Sequence, residues 1–294
     1  MSTVITPGFT GYAKLGTEYL RFNSCSLNAV QEVEAPDMVM GDYTHNAWAY
    51  GKIDVGGSIS GPMTESSMAF LNAAWNSTGA DVDVKYYGGF TRRFSGMRVN
   101  SITFNVNAGE VVQFTSDFIG SGWSTTAAGT MDPYTVTEKL ITWDQAALYR
   151  GTKGAAGSSS ITNEIANLQS FSITITNNIT RQYVIKASDL YGTLVRGMSA
   201  VTGSLVNYTL KSAEGFLGAG TQTGEGAEAW GEYSGTDYYP IKFSLGAYNI
   251  TCTVVFHRAT SELSVGPVLT TIGFTGIGHW GGENDFAEVH NVIA

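Results

Sequence analysis

The first half of the chain reappears, faintly, in its second half. Residues 24–58 align without a gap on residues 170–204. Six positions are identical: Ser24 and Ser170, Ser26 and Ser172, Gly51 and Gly197, Val55 and Val201, Gly57 and Gly203, Ser58 and Ser204. Met38-Val39 and Ile59 match Val184-Ile185 and Leu205 in kind. A second block follows in each half at a slightly different offset, Ile102 to Val111 against Ile241 to Ile250. Two matches in the same order predict a duplicated β unit, residues 1–134 and 135–294, and duplication constrains geometry more than chemistry. Alternating strands resemble one another whatever their origin, so periodicity alone is the competing explanation.

The composition suits strands and turns better than helices. Of 294 residues, 36 are Gly and only 6 are Pro, and 43% are apolar, with many Tyr, Phe, Val, Ile and Thr. Charged residues make up 14%, a low share that is compatible with a surface packed against other subunits. The balance of 16 basic against 25 acidic residues argues against tight nucleic-acid binding. The opening Met1-Ser2-Thr3-Val4-Ile5 has neither a basic n-region nor an apolar h-region, so no signal peptide is expected. No apolar run is long enough for a membrane-spanning helix, and an outer-membrane barrel would need export. Cys25 and Cys252 lie in apparent strands and are expected as free, buried thiols of an intracellular product.

Strands are expected over residues 20–34 with a break near Asn23, over 48–55, over 82–86 and over 97–106. Thr64 to Trp75 is the best helix candidate, with Thr64 or Ser66 as its cap and Met68, Leu71 and Trp75 on one face. Asn107-Ala108-Gly109-Glu110 reads as a hairpin turn into Val111 to Phe114. Residues 120–134 form the boundary between units, and the second opens at Thr142-Trp143-Asp144-Gln145. Leu168 to Asn177 alternates cleanly up to a turn at Asn177-Asn178, and 243–256 and 267–274 are the closing strands. The counterpart of the helix, 212–218, is shortened and broken by glycine. Residues 35–46 and everything after Gly276 lack period and read as an excursion and an arm.

Candidate chemistry is sparse. Gly276-Ile277-Gly278-His279-Trp280-Gly281 has the spacing of a dinucleotide loop, but the thirteen residues after it are too few for the helix, returning strand and distant acidic residue that the fingerprint needs. Asp81 and Asp83 share a strand face, whereas paired glycosidase carboxylates come from opposite sides of a substrate. They read as a solvated face. His45, His257, His279 and His290 are scattered without zinc-ligand spacing. Arg92, Arg93 and Arg98, beside Tyr86, Tyr87, Phe90 and Phe94, form the one basic-aromatic cluster, read as a subunit contact surface rather than a sugar or nucleic-acid site. Trp48, Trp75, Trp123, Trp143, Trp230 and Trp280 are spread along the chain, unlike a carbohydrate platform. No catalytic, cofactor-binding or metal residues are assigned, and no cofactor is expected.

Ser170-Phe171-Ser172-Ile173-Thr174-Ile175-Thr176-Asn177-Asn178-Ile179-Thr180-Arg181, preceded by Trp143-Asp144-Gln145-Ala146 and followed by Gly197 and Gly203-Ser204-Leu205, resembles the core of phage tail tube proteins. So does Val265-Gly266-Pro267-Val268-Leu269-Thr270-Thr271-Ile272-Gly273-Phe274. The first unit is similar in outline, with Gly57-Ser58-Ile59-Ser60-Gly61 leading towards a helix and then Val99 to Phe104. The resemblance implies two tandem β-sandwich or barrel units, the first with a flanking helix, in a mainly β chain. It also implies a virion protein whose subunits join sheets into rings, stack into a tube and pass DNA without gripping it. Rings would be stacked by a loop such as 35–46 and by terminal arms, and a duplicated chain would form a trimer that imitates a sixfold ring, or else a hexamer. The implied partners are further copies of the chain, the tape measure and the terminator, with no membrane, in a tail assembled in the host cytoplasm. The alternatives are another tail β protein, such as a terminator, baseplate hub or fibre, or a carbohydrate-binding β-sandwich.

Overall fold

In the computed structural model the described residues are 11–34, 49–86, 91–125, 139–151, 161, 163–165, 168–183, 193–208, 239–246, 248–256, 260–262 and 269–276. The excursion 35–46, the loop 152–160, the glycine-rich stretch 212–237 and the arm after Gly276 lie outside them.

The chain is mainly β with one α-helix among the described residues. The first series of strands is β1 (Tyr12–Leu15), β2 (Glu18–Arg21), β3 (Ser24–Cys25), β4 (Asn28–Glu34), β5 (Ala49–Pro62), β6 (Ala80–Lys85), β7 (Thr91–Asn107), β8 (Gln113–Gly120) and β9 (Gly122–Ser124). The second is β10 (Ala146–Arg150), β11 (Asn163–Glu164), β12 (Leu168–Thr176), β13 (Thr180–Gln182), β14 (Thr193–Val195), β15 (Ala200–Tyr208), β16 (Tyr239–Leu245), β17 (Tyr248–Phe256), β18 (Thr260–Glu262) and β19 (Leu269–Gly276).

The helix α1 (Glu65–Asn76) forms where sequence expects it. Thr64 sits outside the helical backbone and its hydroxyl accepts from the Ser67 amide at 3.0 Å, satisfying a first-turn donor that has no partner within the helix. Met68, Phe70, Leu71, Ala74 and Trp75 bury against the strands. The expected strand over 20–34 breaks into β2, β3 and β4, and the expected strand over 97–106 extends back to Thr91. The closing run 243–256 is a hairpin rather than one strand, because Gly246 turns at φ 62 between β16 and β17. The β7–β8 turn matches expectation, with the Glu110 amide on the Asn107 carbonyl and Gly109 at φ 86.

The two series have the same antiparallel order. In the first it runs β1, β6, β7, β8, β5, β4, and in the second β10, β16, β17 with β18, β19, β15, β12. The registers agree as well. Cys25 faces Ile59 and Ala29 faces Val55, while their aligned counterparts Phe171 and Ile175 face Leu205 and Val201. Gly57 faces Phe118 and Gly203 faces Phe274.

The same one-residue offset also recurs between described pairs. From Val99 to Thr103 four steps along β7 meet three along β8, from Phe118 to Thr115. From Phe256 to Thr260 four steps meet three along β19, from Phe274 to Thr271. The second sequence match fares differently. Ile102 to Val106 lies in β7, whereas Ile241 to Leu245 lies in β16, the place that β6 holds in the first series. Alternation marks a half-buried strand but carries no address within the sheet.

The apolar faces of both series belong to one core cluster. Phe118 and Phe70 meet edge to face at 6.4 Å in the first series. In the second, Phe171, Phe243, Phe274, Phe256 and Tyr239 form a chain of ring contacts between 5.4 and 6.2 Å. Such spacings are those of favourable tilted and edge-on pairs.

Candidate interaction site

The two series meet where β12 adds to β7. Seven residues pair antiparallel, from Ser170 opposite Asn107 to Thr176 opposite Ser101, so the sheet passes from one series to the other without a break. Phe171, Ile173 and Ile175 point inward and are buried, while Ser172, Thr174 and Thr176 alternate outward. Thr103 and Thr174 share a side-chain hydrogen bond of 2.9 Å across the joint.

The end of the joint is held by polar groups. Asn177 is 2% exposed, and its side chain donates to the Val99 carbonyl at 2.9 Å and accepts from Arg196 and Ser199 at 2.5 and 3.1 Å. Its own amide donates to the Asn100 carbonyl at 2.7 Å. A buried amide side chain needs such partners, since each unmade hydrogen bond costs about 1–3 kcal/mol. Asn178 then turns at φ 48, a conformation that Asn tolerates better than most residues.

The hairpin β13–β14 that follows leans on the first series. Arg181 donates to the Val55 carbonyl at 2.6 Å and lies 3.5 Å from the Asp54 carboxylate, and Tyr183 donates to Asp54. Arg98 reaches back to the Leu194 carbonyl at 3.4 Å, and Ile179 and Leu194 pack with Ile119. Burial, then the nearby Arg98 charge, pulls the Arg196 guanidinium below its usual range.

Of these residues, sequence reading marked the turn at Asn177-Asn178 and Arg98, and it named Val55, Ile179 and Arg181 within longer matches without giving them a role at a joint. Arg181 and Arg196 carry no local signal, because their partners Asp54, Val55 and Asn177 are set by the register of distant strands.

The remaining candidate residues do not converge. Asp83 is not part of a solvated face. It is 9% exposed and bound by both prongs of Arg93 at 2.7 Å, and the exposed Asp81 lies 3.8 Å from the same guanidinium. That bond to Asp83 raises the already high Arg93 pKa. Arg92 instead lies over the Tyr86 and Trp123 rings, at 5.9 and 6.0 Å from their centroids. The three arginines are therefore spent on three different tasks: an ion pair, ring stacking and the joint. Tyr87 and Phe90 lie outside the described residues, as do His45, His257, His279 and His290.

Among the described residues no three His, Cys, Asp or Glu side chains gather in a way that could hold a metal ion. Cys25 and Cys252 are both free thiols. Burial pushes Cys252 up to about 12, and Cys25 is raised for the same reason, so neither is a ready thiolate. No helix among the described residues is long and apolar enough to cross a membrane.

Several strands lie at an edge of the sheet, β4 and β18 among them. Among the described residues β4 pairs only with β5, and β18 only with β19. An edge strand leaves a row of amides and carbonyls open to another strand.

A comparison with curated proteins finds no match to the chain. A family model described as phage tail tube protein matches residues 1–219, a span that holds the whole first series, the β7–β12 joint and the second series as far as β15. The chain belongs to the phage tail tube protein family.

Proposed function

We propose that this chain is the structural subunit of a tail tube, assembling with copies of itself into closed rings that stack into the conduit for DNA ejection. The observation that carries the reading is the family match over residues 1–219, on a sheet whose strands β4 and β18 each pair on one side only among the described residues. Head-to-tail contacts close into rings, and repetition of the ring-to-ring contact gives an open filament. Residues 1–134 and 135–294 are two copies of one unit, a reading supported by the shared strand order, registers and one-residue offset. A ring of such chains is a trimer imitating a sixfold ring, or a hexamer. Residues 35–46 and the segment after Gly276 make the contacts between rings.

The role needs no enzyme activity, cofactor or metal. The formal charge of −9 suits a lumen, neutral to acidic, that repels phosphates and lets DNA slide. Tape measure and terminator proteins are the expected partners, and assembly takes place in the host cytoplasm before the tube joins the virion.

Negative-stain microscopy of the purified protein tests the reading, with regular tubes as the expected result and a uniform monomer as the result against it. Deleting residues 282–294 is expected to leave a folded protein with shortened or absent tubes, and unchanged tubes would remove the arm from the account.

A further inference from the structure

We infer that the outer edge of β4 pairs antiparallel with the outer edge of β18 in a second copy of this chain, in the register that sets Asn28 opposite Thr260. This rests on the ring reading above and deepens it by naming the joint.

The template is inside the chain. By the registers already given, β12 stands where β4 stands and β17 with β18 stands where β7 stands. The joint between β7 and β12 places Thr103 opposite Thr174. The alignment that superposes Ser26 on Ser172 carries Thr174 onto Asn28. The shared one-residue offset carries Thr103 onto Thr260. The edge that β12 offers to β7 is therefore the edge that β4 leaves open, and the edge of β7 that receives it is the one left open on β18.

Burial along β4 supports an absent neighbour. Ser24, Ser26, Asn28 and Val30 alternate outward and are exposed, Val30 at 55%, in the manner of Ser172 and Thr174. Leu27 is buried, but Cys25 and Ala29 are only partly buried, whereas their counterparts Phe171 and Ile175 are 5% and 1% exposed with β7 beside them. The Ser26 amide bonds to the Ser58 carbonyl at 2.8 Å, so the backbone groups of Leu27 and Ala29 point the other way. The Leu27 carbonyl accepts from the Tyr86 hydroxyl at 3.0 Å and keeps a second lone pair for an incoming amide.

The pair Asn28 and Thr260 corresponds to one without direct backbone hydrogen bonds, since Asn177 and not Thr176 bonds to β7. Such pairs bring their side chains closest and accept a disulfide. In a Cys25→Ala, Cys252→Ala background, Asn28→Cys with Thr260→Cys is expected to give a ladder of covalent multimers under oxidation. The ladder should end at the number of chains in a ring and exceed that of Asn28→Cys with Glu262→Cys about tenfold. Thr103→Cys with Thr174→Cys should close within one chain and serves as the positive control. Tubes without an Asn28–Thr260 ladder overturn this joint and leave the ring reading intact. A stronger ladder from Asn28 with Glu262 overturns the register. Absence of any assembly overturns both. Amide exchange on the unsubstituted protein is the second measurement: the Leu27 and Ala29 amides should become protected when monomers assemble, and unchanged exchange in tubes would sink the joint.

Discussion

The two strand series keep the same backbone plan with different side chains. Ser26 and Ser58 share a hydroxyl contact of 3.0 Å, and their counterparts Ser172 and Ser204 share one of 3.2 Å. Gly57 and Gly203 face Phe118 and Phe274, and a Cβ on either glycine would collide with the carbonyl of Ser26 or Ser172 respectively. At Gly57 the φ of 140 excludes a side chain for a second reason. Around these fixed points the fillings diverge. The first series packs a capped helix and an Asp83–Arg93 pair, and the second packs a line of aromatic rings. What persists between the halves is where backbones touch, and what varies is how the space between them is filled.

Four sets of substitutions probe that comparison. Phe118→Ala and Phe274→Ala remove equivalent buried rings and are each expected to cost about 3–5 kcal/mol in denaturant unfolding of the dissociated chain. Because both rings lie in one core cluster, each should shift a single transition, and a split transition in either variant would separate the two cores.

Next come Gly57→Ala and Gly203→Ala, each expected to lose about 2–3 kcal/mol through forced displacement of the neighbouring strand. A tolerated alanine at Gly203 with a damaging one at Gly57 would show that the φ of Gly57, and not the close approach both positions share, is what demands glycine.

Thr64→Ala deletes the cap of α1 and should cost about 1 kcal/mol, measured by the same unfolding. The effect belongs to the first series, and circular dichroism should show the loss in helical signal.

The smallest change is expected from Ser26→Ala and Ser172→Ala. The Ser172 contact is hydroxyl to hydroxyl and should be worth about 0.5 kcal/mol, while the Ser26 hydroxyl also accepts from the Ser58 amide at 2.9 Å and its loss should cost about 1 kcal/mol. A cost of several kcal/mol at either serine would break the equivalence of the two hairpins.

Much of the fold was legible in advance because the periods were strong. The helix from Glu65 to Asn76 announces itself by Thr64 and the spacing of Met68, Leu71 and Trp75, all local properties. The first repeat match was readable because Ser26, Gly57 and Ser58 are small residues demanded by close strands. The second match misplaced its partner, since Ile102 to Val106 and Ile241 to Leu245 share only alternation. Asp83 was read as solvated because its strand is short and polar, and only the return of β7 brings Arg93 against it.

By itself the sequence determined what depends on neighbours along the chain: strand-rich character, the cap, the turns at Gly109 and Asn178, and the small residues that the two hairpins have in common. Tertiary structure alone decided which strand lies beside which, that β12 joins β7, and that Arg98, Arg181 and Arg196 brace the joint. The reason is physical. A strand satisfies only half of its backbone hydrogen bonds with any one neighbour, and the partners available to it are set by the closure of the whole sheet around one core.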